Sequence, residues 1–345
     1  MDPGSSAPLV DDPRGALDQL RETVGMPFEH LAGAANHTAT ELEAKSALLR
    51  SSELSADMSI VLFGSWARDE LTEGSDDDWA VLVAREFGPY DPDVVQAMAL
   101  AQAYLGEEGK KPGSQAVFAV PFSIDGLVEH IGLDADTNRN LTRRMLLLLE
   151  SRELRGTVHT QCWSDVLDRY LRFGIKNNRP PRFLLNDLVR YWRTICVDFE
   201  GKHSDRGGED PKWVTRNAKL RTSRKLLFVG GLLPILLCHL RQAEEMHAFL
   251  TAWLTASPLD RVAAAFVHYG AIDEGVRAFA AYDRWIEIMQ DDGARDHLKE
   301  LRAATRDDSD LWQEIRGIGE SLQRGLTALL FDTALRPLAP QYAIF

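Results

Sequence analysis

The sequence predicts an α+β protein: a small α/β head followed by an all-helical body. Two observations lead there. Short apolar, β-branched runs occur only in the first third of the chain, with a helical stretch between two of them. From about residue 139 onward, helical periodicity runs on with no convincing strand. The implied division is a loose tail over residues 1–13, a head over 14–138 and a helical domain over 139–345, with the seam near 135–160.

The elements follow in order. Residues 1–13 are rich in Pro, Gly, Ser and Asp, a composition that favours a loose tail. Residues 15–54 read as helical: Leu17, Leu20, Val24 and Phe28 recur at helical spacing, and ELEAKSALLR consists of strong helix formers. Ser59–Phe63, Trp79–Val83 and QAVFAVPF (115–122) read as strands. Between the second and third, a helix is expected over Asp93–Leu105, started by Asp91-Pro92. LTRRMLLLLE is helical, and its Arg143-Arg144 pair reads as surface charge. In FLLNDLVRYWRTICVDF (183–199), Leu185, Leu188, Val189, Trp192, Ile195, Cys196 and Phe199 form one apolar face, with Asp187, Arg190 and Arg193 away from it. Further helices are expected from Asp210-Pro211 and over 240–256, 260–290, 294–304 and 310–331.

The bulk numbers narrow the function classes. Hydrophobic content of 45% and charged content of 26% are those of a globular protein. A net charge of −13 argues against a protein that coats nucleic acid with its whole surface, while leaving room for a local basic groove. Cys162, Cys196 and Cys238 are widely spaced and lack a CxxC, which suggests reduced thiols in a cytoplasmic setting. Cys196 and Cys238 read as core fillers. The N-terminus has no basic-then-apolar signal pattern, and LLFVGGLLPILLCHL (226–240) is too short and too broken for a span, so no membrane partner is expected. The nine histidines show no HxxxH or HExxH spacing, and neither G-K-[ST] nor G-x-S-x-G occurs.

The chemistry concentrates in FGSWARDELTEGSDDDWAVLV (63–83). Three adjacent carboxylates at the mouth of an apolar strand make either a solvated turn or a cation site. Side chains alternate along a strand, so Asp76 and Asp78 share a face and Asp77 takes the other, beside Trp79. Such a pair suits a hard divalent cation, Mg²⁺ or Mn²⁺, bound through carboxylates plus substrate phosphates. Gly64-Ser65 ends the preceding strand and opens a short helix, WARDEL, where backbone can approach a phosphate closely. Arg68 reads as stabilising this turn through Asp69 or Glu73.

Gly64-Ser65, a spacer with Ala67-Arg68, and then Ser75-Asp76-Asp77-Asp78 resemble the signature of the DNA polymerase β-type nucleotidyltransferase superfamily. Residues 136–154, 183–202 and 216–228 are similar to a group of bacterial nucleotidyltransferase-like chains, distantly similar to the uridylyltransferase that modifies the PII signalling protein. The two likenesses together cover roughly residues 40–240. The resemblance implies a polymerase-β-like head, Asp76 and Asp78 as catalytic metal ligands, and Gly64 and Ser65 as nucleotide-phosphate ligands. It also implies a third carboxylate on a later strand. QAVFAVPF contains no acid, and the nearest candidates are Asp125 and Glu129. Asp125 is either that ligand or the N-cap of GLVEHIG.

Residues 176–225 hold thirteen basic and six acidic side chains in an otherwise acidic chain. A triphosphate or polyanionic acceptor would account for this, with Lys219, Ser223 and Arg224 as nucleotide-binding candidates across a cleft from the head; a solvated basic face is the plain alternative. The function expected is an ATP- or other NTP-dependent, metal-dependent nucleotidyltransferase. It would move an NMP to an acceptor hydroxyl on a protein side chain, an RNA 3′ end or a small molecule, and release pyrophosphate. The alternative is a catalytically weakened nucleotidyltransferase-fold protein acting as a nucleotide-binding regulator.

Overall fold

The structure is a computed structural model and describes residues 7–105, 117–204 and 210–343. The chain forms two compact units, one comprising Gly33–Ile175 and the other the residues up to Ala32 together with those from Lys176 onward.

The first unit is built on a four-stranded sheet. Its strands are β1 (Met58–Phe63), β2 (Trp79–Val83), β3 (Pro121–Ser123) and β4 (Ser151–Gly156), in the order β3-β2-β1-β4. β1 runs antiparallel to both β2 and β4, and β2 runs parallel to β3. Every residue of β1 and β2 is buried, as expected of central strands covered on both faces. Met58, Ile60, Leu62, Trp79, Val81 and Val83 join one apolar cluster with Val94, Ala97, Ala101 and Leu105 of helix Pro92–Leu105. The helix thus lays its i, i+3, i+7, i+11 stripe on that face of the sheet.

β4 overturns the expectation that no strand follows residue 139. SRELRG lacks an apolar alternation because β4 is an edge strand, mostly half-buried, whose charges are held by polar partners. Polar bonds anchor it: Ser59 Oγ donates to Glu153 Oε1 (2.5 Å), and Val158 N donates to Ser59 Oγ (2.9 Å). At Gly156 (φ +128°) an added Cβ would stand 2.3 Å from Ser59 Oγ and 2.5 Å from Met58 O, so only glycine fits. Gly156→Ala is expected to destabilise this unit by roughly 2–4 kcal/mol. A urea melt should show the loss, with Gly88→Ala, whose Cβ meets nothing within 4 Å, staying near wild type.

β4 and helices Asn138–Leu149 and His159–Leu171 belong to this unit, so it closes at Ile175 rather than near 135–160. β3 is shorter and later than expected, and Gln115 and Ala116 lie outside the described residues. Arg143 and Arg144 are not surface charges. Arg143 lies over the Phe122 ring (4.9 Å), and Arg144 is fully buried.

The second unit is helical. Its helices include Arg182–Ser204, Trp213–Arg221, Ser223–Leu237, Met246–Thr255, Pro258–His268, Ile272–Gln290 and Asp310–Phe331. The expected helix over 260–290 is broken at Gly270, which takes φ +67°. Close approaches need glycine where Gly325 meets Ala278 Cβ (2.8 Å from an added Cβ) and Gly275 meets Phe266 (2.9 Å). On Arg182–Ser204 the buried side chains are Leu184, Leu185, Asp187, Leu188 and Tyr191. Asp187 therefore faces inward, and Val189, Trp192 and Cys196 are half-buried. Residues 7–13 are not loose, since Trp253 Nε1 donates to Val10 O (3.2 Å) and Arg241 pairs with Asp11 (2.6 Å); residues 1–6 lie outside the described residues. Among the described residues one stretch, Trp213–Leu240, is long and apolar enough to cross a membrane, and 72% of its most apolar window is buried inside the protein.

Candidate active site

The strand register decides where the aspartates point. Leu62 pairs with Trp79 on the face covered by helix Pro92–Leu105, so the next pair outward, Phe63 and Asp78, takes the opposite face. Phe63 N donates to Asp78 O (2.8 Å), which extends the pairing by one residue. Asp77 turns to the core side: it is 2% exposed, and its Oδ1 accepts from Trp66 Nε1 at 2.9 Å. Burial runs exposed, buried, half-buried from Asp76 to Asp78, the alternation that the sequence pattern implied. Asp77 is thus committed to holding the turn, and Asp76 and Asp78 remain at the sheet edge.

Gly64 follows β1 at the same edge with φ +64°. A Cβ there would stand 3.1 Å from Asp78 Oδ2 and 3.9 Å from Arg68 Nη1, so the carboxylate lies directly over the glycine. Ser65 is half-buried beside it. The turn is a single 3-10 turn, Gly64–Trp66, and not the expected helix WARDEL, so no helix terminus serves this site. Its backbone closes locally, with Ala67 N and Arg68 N both donating to Gly64 O (3.1 and 3.0 Å). The loop leading to the aspartates is pinned twice. Leu71 N donates to buried Thr38 Oγ1 (2.9 Å), and Thr72 N donates to Ser75 Oγ (3.0 Å).

Sequence reasoning missed two residues here. Arg68 pairs with Glu70 (2.8 Å) and with Glu150, not with Asp69 or Glu73; Asp69 is held by Arg152 (2.8 Å). Phe63 is paired with Ser151, so Glu150 flanks Gly64 on the side away from Asp78. The only sequence signal for Glu150 was its place one residue before β4, a strand that was itself hidden.

Asp125 is not the third carboxylate of this edge. It lies in the first turn of helix Ile124–Val128, just after β3, and is exposed; the N-cap of that helix is Ser123. β3 runs parallel to β2 with Phe122 level with Leu82, so Asp125 sits past the far end of β2 while Asp78 precedes its start. At about 3.3 Å per residue the two ends of this register are separated by some 20 Å. Glu129, a turn further on, is no nearer in register.

Asp78 over the glycine turn, with Asp76 two residues before it, fits a hard cation only where phosphate oxygens or water complete the shell. Among the described residues, no group of three or more His, Cys, Asp or Glu side chains could hold a metal. The three cysteines are free, and burial pushes the Cys162 and Cys238 thiols up, which suits inert packing. Of the basic candidates, Lys219 is half-buried on Trp213–Arg221 and Arg224 is exposed on the next helix. Ser223 is buried at the break made by Thr222, which withdraws its hydroxyl from the ligand role expected of it. Arg216, in the same basic segment, is tied to buried Asp210.

The family described as nucleotidyltransferase domain matches residues 45–113, which span β1, the Gly64 turn, the three aspartates, β2 and the helix after it. The chain thus carries a nucleotidyltransferase domain of the polymerase β-like type, on a small mixed sheet followed by a largely helical body. No curated protein matches the chain, and the similarity to the PII-modifying enzyme gains no support.

Proposed function

We propose that this nucleotidyltransferase domain transfers an NMP from an NTP to an acceptor hydroxyl, at the sheet edge formed by Gly64, Ser65, Asp76 and Asp78. The observation that carries the reading is the seating of the Asp78 carboxylate over Gly64, 3.1 Å from where a Cβ would be. A side chain at residue 64 would press on that carboxylate, and glycine lets it sit close to the turn. Bound Mg²⁺ or Mn²⁺ held by Asp76 and Asp78 would neutralise phosphate charge. The protein's own part is positioning: Ser65 offers a hydroxyl donor, the Trp66–Asp77 bond keeps the turn and the aspartates together, and Arg68 braces the turn from Glu150 and Glu70. The acceptor hydroxyl gives its proton to water as its oxygen bonds to the α-phosphorus, the bond from that phosphorus to the bridging oxygen breaks, and pyrophosphate leaves. Positioning and charge neutralisation suffice in outline for such a transfer. The acidic chain favours a protein or small-molecule acceptor over RNA, and the three free cysteines favour a cytoplasmic setting.

The test is transfer from each of four α-labelled NTPs, with Mg²⁺ or Mn²⁺, into protein, RNA and small-molecule fractions of a lysate. Asp76→Asn and Asp78→Asn are each expected to lower transfer at least a hundredfold. Unchanged transfer in both would refute the site.

A second reading rests on β3. It brings no acid level with Asp78, since the residue in register is Phe118, and Asp125 is at the other end. A two-carboxylate edge that binds NTP without turnover would act as a nucleotide-responsive regulator. Tight NTP binding with no label transferred would favour it.

A further inference from the structure

The helical unit contains a cavity of about 1050 Å³ between helices Ile272–Gln290 and Asp310–Phe331 and the segment around Thr222. Those two helices close on each other where Gly325 meets Ala278, and Gly319 stands where a Cβ would be 3.0 Å from Arg221 Cβ. Beside these contacts Ala280, Ala281, Ile318 and Ala328 give part of an otherwise polar wall a small or apolar surface, which leaves room for a ligand body.

The charges at this cavity do not balance. Arg221, Lys225 and Arg324 line it, and among the described residues none of the three has a carboxylate within ion-pair distance. Among the described residues, Arg221 is held by Asn217 Oδ1 alone (2.6 Å). The other two cations of the lining are already committed: Arg277 to Glu274 (2.7 Å) and Arg284 to Glu287 and Glu314 (2.7 and 2.6 Å). Of the acids, Glu274 is taken by Arg277, Glu320 lies 4.0 Å from Arg316, and Asp332 follows the end of its helix. Burial together with the neighbouring Arg221 lowers the Lys225 ammonium to about 8. Arg221 and Lys225 are half-buried and Arg324 is exposed; two half-buried like charges without a counterion are unfavourable, and an anion relieves them.

We infer that this cavity binds a small molecule bearing a phosphate ester or pyrophosphate group, with its anionic end on Arg221, Lys225 and Arg324 and its uncharged body against Ala280, Ala281 and Ile318. The volume is at the upper end of ordinary small-molecule sites and far exceeds what one inorganic phosphate fills. The site lies wholly in the helical unit and does not depend on the proposed transfer reaction.

The test titrates inorganic pyrophosphate, with citrate as a carboxylate control at equal ionic strength, into full-length Asp76→Ala/Asp78→Ala protein by calorimetry. That background removes the two carboxylates of the other candidate site. Pyrophosphate is expected to bind, and Lys225→Ala/Arg324→Ala added to that background should weaken it at least tenfold while circular dichroism stays unchanged. Lys225 must be protonated to hold the anion, so affinity should fall between about pH 7 and 9.5, and Lys225→Arg should bind without that fall. The other titratable and charged groups lining the cavity are Arg221, Glu274, Glu320, Arg324, Asp332 and the two committed arginines. No binding, binding unaffected by Lys225→Ala/Arg324→Ala, or citrate bound as tightly as pyrophosphate would overturn the inference.

Discussion

Gly64→Ala is expected to lower nucleotide transfer at least a hundredfold while leaving the protein folded. Two effects act at one atom. Gly64 holds φ +64°, a region that costs an L-residue roughly 1–2 kcal/mol. The added methyl would also press on Asp78 Oδ2 at 3.1 Å and on the end of Arg68 at 3.9 Å. The carboxylate must give by a few tenths of an ångström or rotate away. A misplacement of about 1 Å at a reacting site is enough for a hundredfold loss. Gly174 separates the two effects, because it shares the conformation (φ +68°) and an added Cβ there meets nothing within 4 Å. Gly174→Ala should show the stability loss alone, with transfer unchanged. The comparison is read as kcat/KM beside a urea midpoint for each variant. Equal, small losses of transfer in both would mean that Gly64 serves only the turn.

The parts of this edge that were legible in the sequence share a cause. β1 and β2 are short, apolar and bounded by Gly64 and the aspartates, so a period of two puts Asp78 on the face opposite Trp79 without any long-range information. Helix Pro92–Leu105 announces itself through Asp91-Pro92 and its spaced small residues. What stayed hidden depends on partners far along the chain. Ser151–Gly156 becomes a strand because β1 offers it an edge, not because SRELRG favours one. The Arg68–Glu150 pair spans 82 residues and cannot be read without that strand. The sequence leaves Asp125 open between third ligand and N-cap because the direction of β3 is a property of the sheet: parallel to β2, it carries the residues that follow it away from Asp78.

Arg144 was hidden for the same reason, and replacing it should produce the largest stability loss of any single change considered. Its side chain is fully buried, and Asp136, 2% exposed, accepts from both terminal nitrogens at 2.8 and 2.6 Å. Arg144 Nε donates to Tyr170 Oη (3.0 Å), and Nη1 reaches Leu127 O (3.3 Å). One guanidinium therefore joins the loop before helix Asn138–Leu149 to helices Ile124–Val128 and His159–Leu171. From sequence it is one of two arginines opening a leucine-rich helix, and its acid partner lies outside that helix, eight residues back. Burying two charges is costly in itself, but removing one leaves the other without compensation. Arg144→Ala should therefore cost about 3–5 kcal/mol, and Arg144→Lys should recover little of it because an ammonium cannot reproduce the planar fork. Arg144→Met/Asp136→Leu, which removes both charges and keeps volume, should cost much less than either single change to alanine. A double-mutant cycle in urea, followed by tryptophan fluorescence, measures the difference. Single and double variants that cost the same would mean that the stability comes from packing around the guanidinium and not from the pairing of its charge. The same pair would then no longer explain why residues past 138 fold with the sheet.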